Sequence, residues 1–370
     1  MTQTVTAAGT RPAAQLQAQW SPRVSAAMLA RLAGRAAVAA PAEWIPVEAP
    51  CTGAVLAEVP RGVAEDVTAA CATARDAQQE WARRPAKERA AVLLRYHDLV
   101  LANAQEILDI LQLESGKARV HAFEEVLDVA IQARYYGHAA PGFLRPRRAQ
   151  GALPVLTSTR VHHRPRGVVG IISPWNYPFT LAVGDALPAL AAGNGVVLKP
   201  DALTPLSALW AAGLLEEAGL PAGLLQVVTG RGAELGTPLV ESTDFVMFTG
   251  STATGRTVAA QCGERLMDCA MELGGKNALL VLPDAPLRRA IPGAVQGITS
   301  NGGQLCISIE RVYVHDAVYD AFVPRLAERL TALRLGPSLT FADDVGSLTS
   351  AAQLAKISAH VDDAVTKGAE

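Results

Sequence analysis

Cys306 closes the run Asn301-Gly302-Gly303-Gln304-Leu305-Cys306, 34 residues after Glu272 in Met271-Glu272-Leu273-Gly274-Gly275-Lys276-Asn277. A thiolate attacks a carbonyl carbon, and a carboxylate can later activate a water. Upstream, Pro174-Trp175-Asn176-Tyr177-Pro178 follows a strand-like run, and Asn176 carries an amide donor. Nucleophile, base and oxyanion donor are the parts needed for acyl transfer through a covalent thioester. Taken singly, each has a plainer reading: an inert buried thiol, a surface carboxylate, a turn-forming Asn. Glu272 sits between apolar Met271 and Leu273, so it is expected to be partly desolvated, with a pKa raised toward that of a useful base.

These residues need a frame that brings three remote segments together. Residues 62–143 read as helix-rich, with apolar residues three and four apart, as in Val92, Leu93, Tyr96 and Leu99. Pro141-Gly142 is expected to close that block. From Gly167 the pattern changes to short apolar runs, 168–172, 195–198, 225–228 and 245–248, separated by helical stretches. Continuous apolar strands alternating with helices predict a parallel sheet covered on both faces. Ligands bind such sheets at the carboxyl ends of the strands. Asn176, Lys199 and Gly250 each follow one of those ends. The fold class is therefore α/β, with a Rossmann-type parallel sheet and a second α/β unit that begins after Gly274. Strands are expected there at 277–282 and 311–315.

Phe248-Thr249-Gly250-Ser251-Thr252-Ala253-Thr254-Gly255 reads as strand, tight turn and helix start. Exposed amides at a helix N-terminus suit a pyrophosphate, although alone the pattern is an ordinary βα turn. Gly230-x-Gly232-x-x-x-Gly236 has one residue too many for a nucleotide loop and is read as a βα turn approaching an adenosine. His162 and His163 would point to opposite faces of a strand without acidic or Cys company, so no metal site is expected.

The net charge of −2 excludes nucleic acid or an anionic membrane as the main partner. Five cysteines show neither metal-ligand spacing nor a disulfide framework, which fits a reducing, cytoplasmic setting. No apolar run reaches transmembrane length. The first 42 residues hold four arginines and no Asp or Glu. They read as a variable leader plus a short amphipathic helix with Val24, Met28, Leu29 and Leu32 on one face; a transit peptide is the alternative.

The chain resembles the aldehyde dehydrogenase superfamily, most closely a bacterial branch labelled succinate-semialdehyde dehydrogenase [NAD(P)]. Ser173-Pro174-Trp175-Asn176, Leu198-Lys199-Pro200, Phe248-Thr249-Gly250-Ser251, Glu272-Leu273-Gly274-Gly275-Lys276 and Gly303-Gln304-Leu305-Cys306 carry the resemblance, in that order. It implies an aldehyde dehydrogenase-like fold: residues 1–45 a leader, 46–153 and 168–273 the coenzyme-binding domain, 154–167 an oligomerisation β-arm, 274–370 a catalytic domain that is cut short. It implies Cys306 as nucleophile, Glu272 as base and Asn176 with the Cys306 N–H as oxyanion donors. With no His close by in sequence, Cys306 would be activated by backbone amides, a helix N-terminus or the bound nicotinamide. Ser173, Pro174, Trp175, Lys199, Gly250, Ser251, Gly255, Leu273 and Gln353 would hold NADP or NAD. Relatives selective for NAD carry a Glu three residues after the Lys, where Ala202 stands, so acceptance of NADP is expected. The implied partners are a small-molecule aldehyde and further copies of the chain, as a dimer or tetramer.

Two departures stand out. Oxidisers of succinate semialdehyde use arginines at positions that here are Ser300 and Gly184, which leaves a neutral aliphatic or aromatic aldehyde open. The resemblance also implies further residues after Glu370, including a Glu-x-Phe-Gly-Pro motif, so the chain is expected to be a fragment. Alternatives are a CoA-acylating aldehyde dehydrogenase, a thiol hydrolase and an inactive nucleotide-binding fragment.

Overall fold

The computed structural model describes residues 21–153 and 156–369. In chain order its strands are β1 (Trp44–Ala49), β2 (Ala54–Pro60), β3 (Arg147–Ala149), β4 (Thr159–Val161), β5 (Val168–Ile172), β6 (Gly195–Lys199), β7 (Leu225–Val227), β8 (Phe245–Thr249), β9 (Cys269–Glu272), β10 (Asn277–Val281) and β11 (Ile309–Val314). The central sheet is parallel throughout, in the order β7-β6-β5-β8-β9. Every residue of β5 and β6 is buried, which is why both read as unbroken apolar runs.

Successive side chains serve opposite faces. Val169, Ile171, Val196 and Leu198 pack with the helices Ala86–Ala102, Arg119–Phe143, Ala186–Ala191 and Pro205–Glu217. Val168, Ile172, Val197, Val246 and Phe248 pack with Ala64–Arg83, Gly232–Ser242 and Thr252–Glu264. From β5 the chain runs outward to β6 and β7, then returns to fill β8 and β9 on the other side. A crevice opens at such a reversal, beyond the ends of β5 and β8.

The early block resolves into helices Ala64–Arg83, Ala86–Ala102, Ala104–Ser115 and Arg119–Phe143. The last of these contains Pro141 and ends at Phe143, where the block was expected to close. Val24, Met28, Leu29 and Leu32 are buried around the short helix Ala26–Ala33, as its spacing predicts; residues 1–20 lie outside the described residues. The β1–β2 hairpin was not anticipated. In the arm expected over 154–167, of which 154 and 155 lie outside the described residues, Thr159–Val161 pairs antiparallel to β3, and Leu156 stays 81% exposed. The second unit pairs β10 with β11 in parallel, one residue shorter at the end of β10 than predicted and two residues earlier at the start of β11. Val281, Ile291, Ala294 and Phe322 form its core.

Candidate active site

The turn after β5 begins with Ser173, whose N–H donates to the Lys199 carbonyl at 3.2 Å. Its hydroxyl is buried with no protein partner. Pro174 and Trp175 follow, half-buried. The Asn176 Nδ2 donates to the Gln304 carbonyl at 2.9 Å, two residues before Cys306. An amide nitrogen carries two hydrogens, so one remains for a ligand. The Asn176 carbonyl accepts from Asn301 Nδ2 at 2.8 Å and from Lys117 Nζ at 2.7 Å.

Lys117 is fully buried and pairs with buried Glu125. Glu125 also accepts from the backbone N–H groups of Phe179 and Thr180 at 2.9 and 3.1 Å. The ion pair therefore grips the Asn176 turn from both sides. Burial lowers the Lys117 pKa and raises that of Glu125; mutual attraction opposes both shifts. Such a pair persists inside a protein only when further hydrogen bonds satisfy it, as they do here.

The loop that ends in Cys306 winds tightly because Asn301, Gly302 and Gly303 have φ of 50°, 63° and 78°. Glycine reaches that left-handed region without steric cost and Asn tolerates it. The winding aims the Gln304 carbonyl at Asn176 and leaves Cys306 an exposed free thiol. The Asn277 side chain pins the loop from below, donating to the Cys306 carbonyl at 2.6 Å. Gln304 Oε1 accepts from the Thr349 N–H at 3.1 Å.

Glu272 ends β9, and its carbonyl accepts from the Gly250 N–H at 3.0 Å. Its side chain is exposed, which corrects the expected desolvation. In a strand, alternate residues face opposite ways, so Met271 and Leu273 turn toward the core while Glu272 turns away from it. Three residues on, a Cβ at Gly275 would lie 3.5 Å from the Cys306 carbonyl, so the segment leaving Glu272 runs past the nucleophile. The Asp185 carboxyl is pushed up to about 6, first by burial and then by the Glu272 charge.

The nucleotide side assembles at the same edge. Ser251 caps the helix Thr252–Glu264, accepting from the Thr254 N–H at 3.2 Å. A Cβ on Gly255 would stand 2.5 Å from Leu273, and one on Gly250 would stand 2.7 Å from the Phe248 ring. Glycine at both positions lets the turn pack directly against the Phe248 ring and Leu273. Lys199 is buried, and burial lowers its pKa. Its ammonium comes within 3.6 Å of where a Cβ on Gly232 would stand, so the Gly230–Gly232 turn adjoins it. A cation, a helix N-terminus and an unsatisfied buried hydroxyl in Ser173 fit the ribose and phosphates of a dinucleotide. Gln353 lies apart from these, half-buried in the first turn of helix Ala351–Thr366 and four residues beyond Thr349.

Lys117, Glu125 and Asn301 were not singled out from sequence. Glu125 could have been: it interrupts the apolar stripe Ala122, Val126, Val129, Ala133 of its helix. Among the described residues no group of three or more His, Cys, Asp or Glu could hold a metal ion, and no helix is long and apolar enough to cross a membrane.

The aldehyde dehydrogenase family model matches residues 38–370. A protein of Mycolicibacterium smegmatis named "Putative succinate-semialdehyde dehydrogenase [NADP(+)]" is 52% identical over 324 residues, 88% of this chain and 63% of that protein. The chain thus spans a little over three-fifths of that curated relative. An aldehyde dehydrogenase from Brucella melitensis biovar abortus 2308 superposes with a TM-score of 0.85 at 35% identity, covering 90% of this chain and 68% of that one. A 3,6-anhydro-L-galactose dehydrogenase solved in complex with NAP gives 0.84 at 36% identity, over 90% and 69%. Fold, ordered motifs and these matches agree, and the chain belongs to the aldehyde dehydrogenase family.

Proposed function

We propose that this chain carries the site for oxidising an aldehyde to a carboxylic acid with NADP or NAD. The supporting observation is the Asn176–Gln304 hydrogen bond, which brings an amide donor into the loop of an exposed thiol. Cys306 sulfur, having lost its proton, adds to the carbonyl carbon. The oxyanion takes the second Asn176 N–H and the Cys306 N–H. Bound nicotinamide supplies the acceptor for the hydride that leaves this carbon, so that a thioester remains on Cys306. Glu272 takes a proton from water as its oxygen attacks the thioester, the C–S bond breaks, and the acid departs. Exposure of Glu272 keeps it in contact with that water. Glu272 also favours water over CoA as acceptor, since transfer to CoA needs no activated water.

Residues 46–153 with 168–273 serve as the coenzyme unit, and 274–370 supply the nucleophile. NADP is favoured because Ala202 offers no carboxylate to repel a 2′-phosphate, and Asp201 is turned back onto the Leu203 N–H at 3.0 Å. The names of the mycobacterial relatives make succinate semialdehyde the first aldehyde to try. The exposed β3–β4 arm supports a homo-oligomer.

Cys306→Ala tests the reading: formation of reduced cofactor should vanish while cofactor binding by calorimetry persists. Undiminished turnover in that variant would remove Cys306 from the chemistry.

A further inference from the structure

We propose that the distal end of the aldehyde lies against an acidic wall, so that this site takes aldehydes bearing a cationic amine and turns away those ending in a carboxylate. The proposal rests on the aldehyde-oxidising reading and names its substrate class. Glu124, on helix Arg119–Phe143, is half-buried. Its Oε2 accepts from Ser300 Oγ at 3.0 Å and from Tyr177 Oη at 3.3 Å, and its Oε1 accepts from Gln296 Nε2. Tyr177 follows the oxyanion residue, and Ser300 opens the loop that leads to Cys306. One carboxylate is therefore braced by both segments that hold the reacting carbonyl.

Asp128 stands one helical turn further on the same face. It accepts from Gln132, and the Gln132 amide oxygen lies 2.9 Å from where a Cβ on Gly184 would be. The three partners of Glu124 are all neutral donors. The neighbouring cation, Lys117, is taken up by Glu125 and the Asn176 carbonyl, above the Tyr177 ring at 4.2 Å. Glu124 and Asp128 are thus the acidic side chains of this wall.

The two positions where a cationic anchor was sought are also closed to one. The Ser300 hydroxyl is committed to a carboxylate, and any side chain at 184 would begin 2.7 Å from the Thr180 carbonyl.

The test reads the charge at the nucleophile without needing turnover. The full chain is alkylated with iodoacetate, iodoacetamide and 2-bromoethylammonium, and modification is mapped by peptide mass at Cys306 and at exposed Cys51 as internal reference. Relative to Cys51, Cys306 should favour the cationic over the anionic reagent by roughly five- to tenfold. Glu124→Gln should at least halve that ratio, with Asp128→Asn as the second variant should the first lose its fold. Equal ratios at the two cysteines, or a ratio untouched in both variants, would overturn the proposal. In turnover, kcat/KM should fall in the order 3-aminopropanal, propanal, succinate semialdehyde; the reverse order also overturns it. Cationic bias without any aldehyde oxidation would sink the oxidation reading and leave the acidic wall standing.

Discussion

The side-chain amide of Asn176 reaches the carbonyl of Gln304 at 2.9 Å, and that bond clamps the turn after β5 onto the loop ending in Cys306. Asn301 returns the contact at 2.8 Å, from the nucleophile loop to the Asn176 carbonyl. Two reciprocal amide–carbonyl bonds hold Asn176 and the Cys306 loop in register, and each is open to mutation.

Asn176→Ala removes the proposed oxyanion donor and the clamp together. Loss of one such donor costs about 10²–10³ in kcat. The variant should show that loss in steady-state assays while Kd for the cofactor stays within about twofold. Near-full activity would end the assigned role.

Lys117→Met leaves Glu125 buried without its partner. Breaking a buried pair from one side costs about 3–5 kcal/mol, and the Asn176 carbonyl loses a donor as well. Chemical denaturation should show the midpoint falling, with kcat reduced in the protein that remains folded. An unchanged midpoint would mean that water replaces the ammonium.

Asp185 has a carboxyl raised to about 6 by burial and then by the Glu272 charge, against a usual value near 3.8. The folded protein therefore holds this proton more tightly than the unfolded chain. Its contribution to stability is complete below about pH 3.8 and is lost as pH rises through about 6. Asp185→Asn should stabilise the protein at pH 8 more than at pH 4, read from urea midpoints at both. Parallel shifts at the two pH values would refute the assignment.

Ala202→Glu places a carboxylate three residues beyond Lys199. It should raise KM for NADP by about tenfold or more through repulsion of the 2′-phosphate, and change KM for NAD by much less. Equal effects on both cofactors would mean that residue 202 does not face the ribose.

Much of the frame was legible because it rests on local pattern. Unbroken apolar runs at 168–172 and 195–198 exist only where both faces of a strand are covered, and β5 and β6 are buried at every residue. Glycines at 250 and 255 announced a close turn that Leu273 and the Phe248 ring do fill. The side on which Glu272 emerges was misread, because in a strand the immediate apolar neighbours Met271 and Leu273 take the core face and leave Glu272 the opposite one.

By itself the sequence determined the residue types available for chemistry, the order of the strands along the chain and the glycine turns that end them. These depend on neighbours a few residues apart. Only the tertiary structure decided that Lys117 and Glu125 brace Asn176, that Gln304 rather than Cys306 receives its amide, and that Glu124 lies between Tyr177 and Ser300. Those pairings join segments 50 to 180 residues apart. Such contacts arise when buried polar groups must find partners across a packed interior, and the partner found depends on where the whole chain has folded.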